Sequence, residues 1–508
     1  MIAAENGALP RGKVGGMGDV VRDLPRALVK LGHRVTVLTP AYGMFARLPG
    51  AKRIDSIDVP FAGRTESVDR FTIPSGVENL DYQVVDHPRF TPSGDERIYH
   101  DDGAAAPFAT DATKFAFFSA ASAALVAALE PRPDVVHLHD WHVGFYLLLR
   151  AHDRRFKQTQ SVRTVFTIHN LALQGVRPLR ATDSSLAGWF PDMTFPLDVV
   201  ADPRHRDCVN PLAVAIRLAD TVNTVSPTYA DEIVEPNDER TGRRGGESLE
   251  HLLAARRAEG ALVGILNGCE YMAEPPPPSW KRLLRLLGDE VLGWIAAGTH
   301  VDSAAFLAER RLAEWPKKRP PIVATSIGRL TEQKLGLMRQ PVSRSATALD
   351  RVAGALDEGV LIVLGSGERD YEQFLLEASL RHQNLLFLKG YSDRLSAALY
   401  GAGDLFLMPS VFEPCGISQM LAMRAGQPCV AHAVGGLKDT VTTSNGFPFA
   451  GETMQQKAQN FAREVAAAVD VKLYDPDRWQ ALVANASAER FTWERSAMRY
   501  AREVYAFD

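Results

Sequence analysis

A recurring series of short apolar runs sets the tightest limit on what this chain can fold into. They lie at His33–Thr39, Val135–His139, Thr164–His169, Thr221–Ser226 and Leu262–Asn267. A second series follows at Ile322–Ile327, Val360–Gly365, Leu385–Leu388, Leu405–Met408 and Cys429–Val434. Helical patterns separate them. Asp19–Leu31 is the clearest, with Val20, Val21, Leu24, Ala27, Leu28 and Leu31 on one face and Gly32 as its stop. Strands apolar along their whole length, alternating with helices, predict parallel sheets covered on both faces. A chain of 508 residues is too long for one ordinary core, so two domains are expected. The boundary falls at 274–319, which opens on four prolines and closes on Lys-Lys-Arg-Pro-Pro, with a helical stretch inside (Trp280–Leu312). This predicts an α/β protein: a first Rossmann-like domain over 1–273 and a second over 320–489, facing each other across a cleft. The charged, glycine-rich stretch Glu235–Gly246 reads as a mobile surface loop.

The chemistry-bearing residues cluster where the strands end. His139-Asp140-Trp141-His142, His169-Asn170, Ser226, Asn267-Gly268, Arg329, Gly365–Gly367 and Gly390-Tyr391 each follow an apolar run. Open α/β sheets bind ligands beyond the carboxyl ends of their strands. The densest example is 404–440, where one strand-to-helix corner carries Glu413 and the next carries Gly435-Gly436. Helix N-termini offer free N–H groups and partial positive charge, which suits a phosphate. A lone carboxylate beside two such corners points to a sugar held next to a nucleotide diphosphate.

A net charge of −4 argues against a general nucleic-acid binder. No apolar run nears the roughly 20 residues that span a bilayer. The opening MIAAENGALPRGK has neither the pattern of a secretory signal nor that of a transit peptide. Cys208, Cys269, Cys415 and Cys429 are scattered, so reduced thiols and a cytoplasmic protein are expected.

Lys13-Val14-Gly15-Gly16-Met17-Gly18-Asp19 precedes the first helix. It is either an ordinary glycine-rich turn or a loop whose N–H groups and Lys13 approach an anion; it is neither GxGxxG nor a P-loop. Arg329 and Lys334 stand five residues apart after a strand. They could grip a diphosphate, and their placement favours this over a solvated loop of charges. His137, His139 and His142 could suggest a metal, but no further ligand cluster is apparent, so a polar cleft is the simpler reading. Glu413 could simply cap the following helix, and Cys415 has no partner pattern that would make it a nucleophile.

Taken together, these segments resemble the bacterial glycogen synthases and plant starch synthases, retaining glucosyltransferases of the GT-B fold. The resemblance is carried, in order, by KVGGMGDVV, the HxHDWH run at 137–142, TIHNLALQG, TVSPTYADEI, GILNG, GRLTEQK, the Tyr391 region, PSVFEPCGISQ and GGLKDTV. RFTWERSAMRY at 490–500 resembles the family's terminal helix, and 490–508 is expected to pack back on the first domain. The resemblance implies glucose transfer from ADP-glucose (or UDP-glucose) to an α-1,4-glucan, with no cofactor and no metal. It assigns Lys13, Gly15, Gly16 and Asp19 to donor phosphates and sugar, and Arg329 and Lys334 to the diphosphate. Glu413 with the N–H groups of Cys415, Gly416, Ile417 and Ser418 would hold glucose and phosphate. Tyr391 would lie against the base, and Asp140, His169 and Asn267 would line the sugar site. The implied catalytic set is Lys13, Asp140, His169, Arg329, Lys334 and Glu413.

The chain departs from the family pattern at Cys269-Glu270, Val434, Leu335-Gly336 and its short opening strand. Two alternatives stay open: a GT-B transferase with another donor or acceptor, and a weakly active glucan-binding regulator. The first is disfavoured by Leu421, where many relatives carry a second Glu. The second is disfavoured by the intact Lys13, Arg329, Lys334 and Glu413.

Overall fold

The computed structural model describes residues 1–271, 276–298, 303–315 and 317–507. It divides into two compact units. The first comprises Met1–Asn237, Gly245–Gly268 and Trp493–Asp508; the second comprises Asp238–Arg244 and Cys269–Thr492. Glu274 and Pro275, at the start of the expected boundary segment, lie outside the described residues. The rest of that segment is mostly helical: Trp280–Ala297 and Ser303–Glu314 place Trp280, Leu283, Leu287 and Val291 in the core of the second unit.

In the first unit four parallel strands run in the order Leu262–Gly264, Thr221–Thr224, Arg163–Ile168, Val135–His139. The three strands Thr221–Thr224, Arg163–Ile168 and Val135–His139 have fully buried interiors, as parallel strands between helical layers require, while the edge strand Leu262–Gly264 is half-buried. Ile2 bridges Leu138 on one side and Leu38 on the other. It thereby links these strands to a second group ordered Val35–Pro40, Leu80–Asp86, Arg64–Pro74, Lys52–Phe61. This group differs from the all-parallel expectation, because its last three strands are antiparallel. Ile57, Val59 and Phe61 face inward while Asp58 and Pro60 do not. The hairpin turns at Ala62-Gly63, both with positive φ (51° and 71°), the backbone that matches strand twist in a two-residue loop.

In the second unit six parallel strands run in the order Leu385–Lys389, Val360–Gly365, Val323–Ile327, Leu405–Met408, Cys429–His432, Gly446–Phe449. One face is covered by the two helices above. The other packs against Ala348–Ala355 and the long helix Met454–Tyr474. The stretch expected to be a mobile loop is docked instead. Lys457 Nζ donates to Thr241 O at 2.8 Å, and Gly242 lies so near Met454 that a Cβ there would sit 2.4 Å from its sulfur.

Residues 493–507 return to the first unit. Glu494 pairs with Lys30, Ser496 Oγ donates to Leu266 O, and His33 stacks on Phe507. The helix Trp493–Arg499 runs into a π-turn over Tyr500–Val504 that buries Tyr500.

Candidate functional site

Each unit gathers part of the expected set at the ends of its strands. In the second unit, the strand Val323–Ile327 ends in Gly328-Arg329, and the helix Glu332–Arg339 starts just beyond. The strand Leu405–Met408 ends beside it. Two hydrogen bonds through Gln333 join these corners: Val411 N–H donates to Gln333 O at 2.7 Å, and the Gln333 side-chain Nε2 donates to Phe412 O at 3.2 Å. They set Lys334, in the first turn of its helix, against Glu413, and the two form an ion pair. Ser410 Oγ donates to the same Glu413 oxygen at 3.0 Å. His432 Nδ1 meets Ser410 O at 2.8 Å and fixes that loop from below. Arg329 is exposed, with no carboxylate partner among the described residues, and lines one pocket with Lys334, Leu330 and Ser410.

The two corners of 404–440 are stitched together as well. Gly436 N–H donates to Glu413 O at 3.1 Å. Gly435 and Gly436 form the first turn of the helix Gly435–Thr440, and Gly435 adopts a left-handed φ of 42°. The helix Ser418–Arg424 has no side-chain cap, and Gly416 precedes it in a left-handed φ of 75°. Gln419, a residue the motifs did not single out, donates from Nε2 to Gly416 O (2.9 Å) and Cys415 O (3.2 Å) and holds the loop in shape. Tyr391 is 61% exposed, with its hydroxyl on Asp393.

In the first unit the glycine loop is organised by Glu5, which the sequence did not reveal as a site residue. Glu5 is buried. Its Oε2 accepts from both Val14 N–H and Gly15 N–H at 2.8 Å, and its Oε1 accepts from the Tyr99 hydroxyl at 2.9 Å. The Gly15 N–H is therefore committed within the protein; Gly16, exposed at the start of the helix Gly16–Lys30, is the better placed of the two for a ligand. Asp19 is likewise committed. It pairs with Lys13 Nζ at 2.8 Å and with Arg22 at 3.2 Å, so it acts on Lys13 first. The only trace Glu5 left in sequence was an acid in an apolar opening segment.

The HxHDWH run forms a buried imidazole row. His137 and His139 share one strand face, with ring centroids 4.2 Å apart. His139 Nδ1 lies 3.0 Å from His169 Nε2. Asp140 takes a left-handed φ of 57°, which aims its carboxylate at the next strand end, where Oδ1 accepts His169 N–H at 2.7 Å. Burial raises Asp140 to about 7. Burial also holds His137 and His139 well below the usual imidazole range and lowers His142 and His169 to about 3, so these rings are neutral. Asn267 is buried, and its Oδ1 has no hydrogen-bond partner among the described residues. No group of three or more metal-ligating side chains occurs among the described residues.

The starch synthase catalytic domain family matches residues 1–255, and the glycosyl transferases group 1 family matches 321–470. A glycogen synthase of Anaeromyxobacter dehalogenans (strain 2CP-C) is 34% identical over 97% of this chain and 96% of its own length. The chain belongs to the glycogen and starch synthase family. A glycogen synthase of Streptococcus equi subsp. equi (strain 4047) is 30% identical over 98% of both. The catalytic domain of starch synthase IV from Arabidopsis thaliana, solved bound to ADP and acarbose, superposes with a TM-score of 0.75. It is 27% identical and covers 99% of this chain and 98% of its own. The fold class is thus the GT-B one, α/β with Rossmann-like parallel sheets, and the chain is a glycosyltransferase. No described helix is long and apolar enough to cross a membrane.

Proposed function

We propose that this enzyme transfers glucose from ADP-glucose to the non-reducing end of an α-1,4-glucan with retention of configuration, and that it does so in the cytoplasm. The observation that carries the reading is the cation pair: Arg329 and Lys334 line one pocket at a strand end, beside Glu413 and the uncapped helix that starts at Ser418. The ADP and acarbose bound to the starch synthase IV relative support the donor and the acceptor class.

Breaking the glycosyl–phosphate bond gathers negative charge on the departing diphosphate. Arg329 and Lys334, with the N–H groups of Cys415 to Ser418, stabilise that charge where it develops, already in place before the bond breaks. Lys334 meets a diphosphate by loosening its contact with Glu413, which frees that carboxylate for glucose hydroxyls. Lys13, held by Asp19, and the backbone at Gly16 serve the donor phosphates and sugar, while the Gly15 N–H, bound to Glu5, keeps the loop in shape. Asp140, His169 and Asn267 line the sugar site, and Tyr391 lies against the base. The acceptor hydroxyl attacks from the face the diphosphate leaves, and the leaving phosphate takes its proton.

The test is transfer itself. The protein is incubated with glycogen and radiolabelled ADP-glucose, or UDP-glucose in parallel, and label is counted in alcohol-insoluble polymer. Incorporation from ADP-glucose in excess over UDP-glucose is expected; none from either donor refutes the reading. A covalent glucosyl–protein adduct would refute same-face attack.

A further inference from the structure

We infer that His139 is a positioning residue that fixes the tautomer of His169, so that His169 meets the substrate with an Nδ1–H donor. The inference rests on the placing of His169 in the sugar site and adds the proton's location and the residue that holds it there.

Asn223 Nδ2 donates to the Tyr500 hydroxyl at 3.0 Å, so its Oδ1 faces Thr167 and accepts the Thr167 hydroxyl proton at 2.5 Å. Thr167 has no second proton, so its oxygen accepts from His137 Nε2–H, also at 2.5 Å. His137 Nδ1 is then the acceptor of the Tyr505 hydroxyl at 2.8 Å. The first ring of the row is locked in one tautomer by two neighbouring strands and two terminal tyrosines.

His139 lies between His137 and His169, with ring centroids 4.2 and 5.3 Å away. It is fully buried, and among the described residues its Nε2 has no hydrogen-bond partner. A neutral ring carries one proton. On Nε2 it would be a buried donor with nothing to bond, a rare and costly state. On Nδ1 it is given to His169 Nε2, 3.0 Å away. His169 Nε2 is thus an acceptor, and the His169 proton sits on Nδ1, the nitrogen left for the ligand on a partly exposed ring. His169 is then a hydrogen-bond donor to a sugar hydroxyl and not a proton acceptor.

The protein, labelled with 15N-histidine, is read by long-range proton–nitrogen NMR, with the His169 signal assigned by its loss in His169→Gln. The parent protein should show His169 protonated on Nδ1. His139→Phe removes the donor, and His169 should shift toward protonation on Nε2 while kcat/KM for glucose transfer falls at least tenfold. His139→Asn places an amide N–H near the position of Nδ1 and should restore both the tautomer and most of the activity. A parent His169 protonated on Nε2, or a His139→Phe protein with an unchanged tautomer, overturns the inference. The parent spectrum decides alone if His139→Phe fails to fold. Full transfer by His169→Ala would instead overturn the sugar-site reading and leave the tautomer result standing.

Discussion

Gly436→Ala probes the seam between the two corners of the second unit. A Cβ at Gly436 would lie 2.3 Å from Cys415 O and 2.5 Å from Cys415 Cα. Both are backbone atoms, so no side-chain rotation relieves the clash. A contact below 3.0 Å is essentially never seen, so the 413–416 loop or the helix at 435 must withdraw by about 1 Å. Overpacking of this kind costs about 1–3 kcal/mol. Stretching the 3.1 Å bond from Gly436 N–H to Glu413 O adds up to about 1 kcal/mol. At roughly 2–4 °C per kcal/mol for a unit of this size, the Tm of the second unit should fall by about 2–16 °C. The same displacement moves Glu413, and a misplacement of about 1 Å lowers kcat roughly 10²-fold. Calorimetry and glucose incorporation read both effects. Gly354→Ala is the control: nothing lies within 4 Å of its Cβ, so it should gain up to about 1 kcal/mol and keep full activity. If Gly436→Ala matched that control in Tm and turnover, the stitching of the corners would have no functional weight.

Arg329→Ala and Lys334→Ala should each lower kcat about 10²–10³-fold, because each removes a cation from the developing diphosphate charge. Only Lys334→Ala should also lower the Tm, since it strands the buried Glu413; equal Tm values would contradict this. Asp140→Asn should abolish most transfer yet gain stability relative to the parent as pH rises. Burial raises the folded carboxyl from its usual 3.8 to about 7, so its contribution is fully present below pH 4 and lost as pH rises through 7. The Tm advantage of Asp140→Asn, followed by circular dichroism, should therefore grow between pH 4 and 7 and level off above; a constant difference would refute it. Tyr505→Phe leaves His137 Nδ1 unpaired and should cost the first unit about 1–3 kcal/mol, with the second calorimetric transition unmoved.

The parallel strands were legible because burial on both faces writes them as unbroken apolar runs. Val135–His139, Val360–Gly365 and Leu405–Met408 lie where the pattern put them. The antiparallel strands 52–61 and 64–74 were not seen: one face is wet, and charged residues interrupt a period-two signal that Ile57, Val59 and Phe61 still carry. Residues 235–246 read as mobile because composition shows charge and glycine but not the docking of Thr241 and Gly242 on the helix that carries Met454 and Lys457. The motif residues expected to form the site were legible because they sit at strand ends and at the start of the first helix. Glu5 and Gln419 were not, because each acts through backbone partners that only folding brings near.

The return of residues 493–507 to the first unit dictates an order of assembly. Tyr500, Tyr505 and Ser496 supply bonds to Asn223, His137 and Leu266. During synthesis, strands 135–139 and 221–224 emerge long before the tyrosines that complete their polar core. The second unit, continuous from Cys269 to Thr492 apart from the short 238–244 excursion, can close while the first still waits. The unit that holds Glu413 can thus form before the unit that holds His169 is complete, and the imidazole row is locked only after Tyr500 and Tyr505 have left the ribosome.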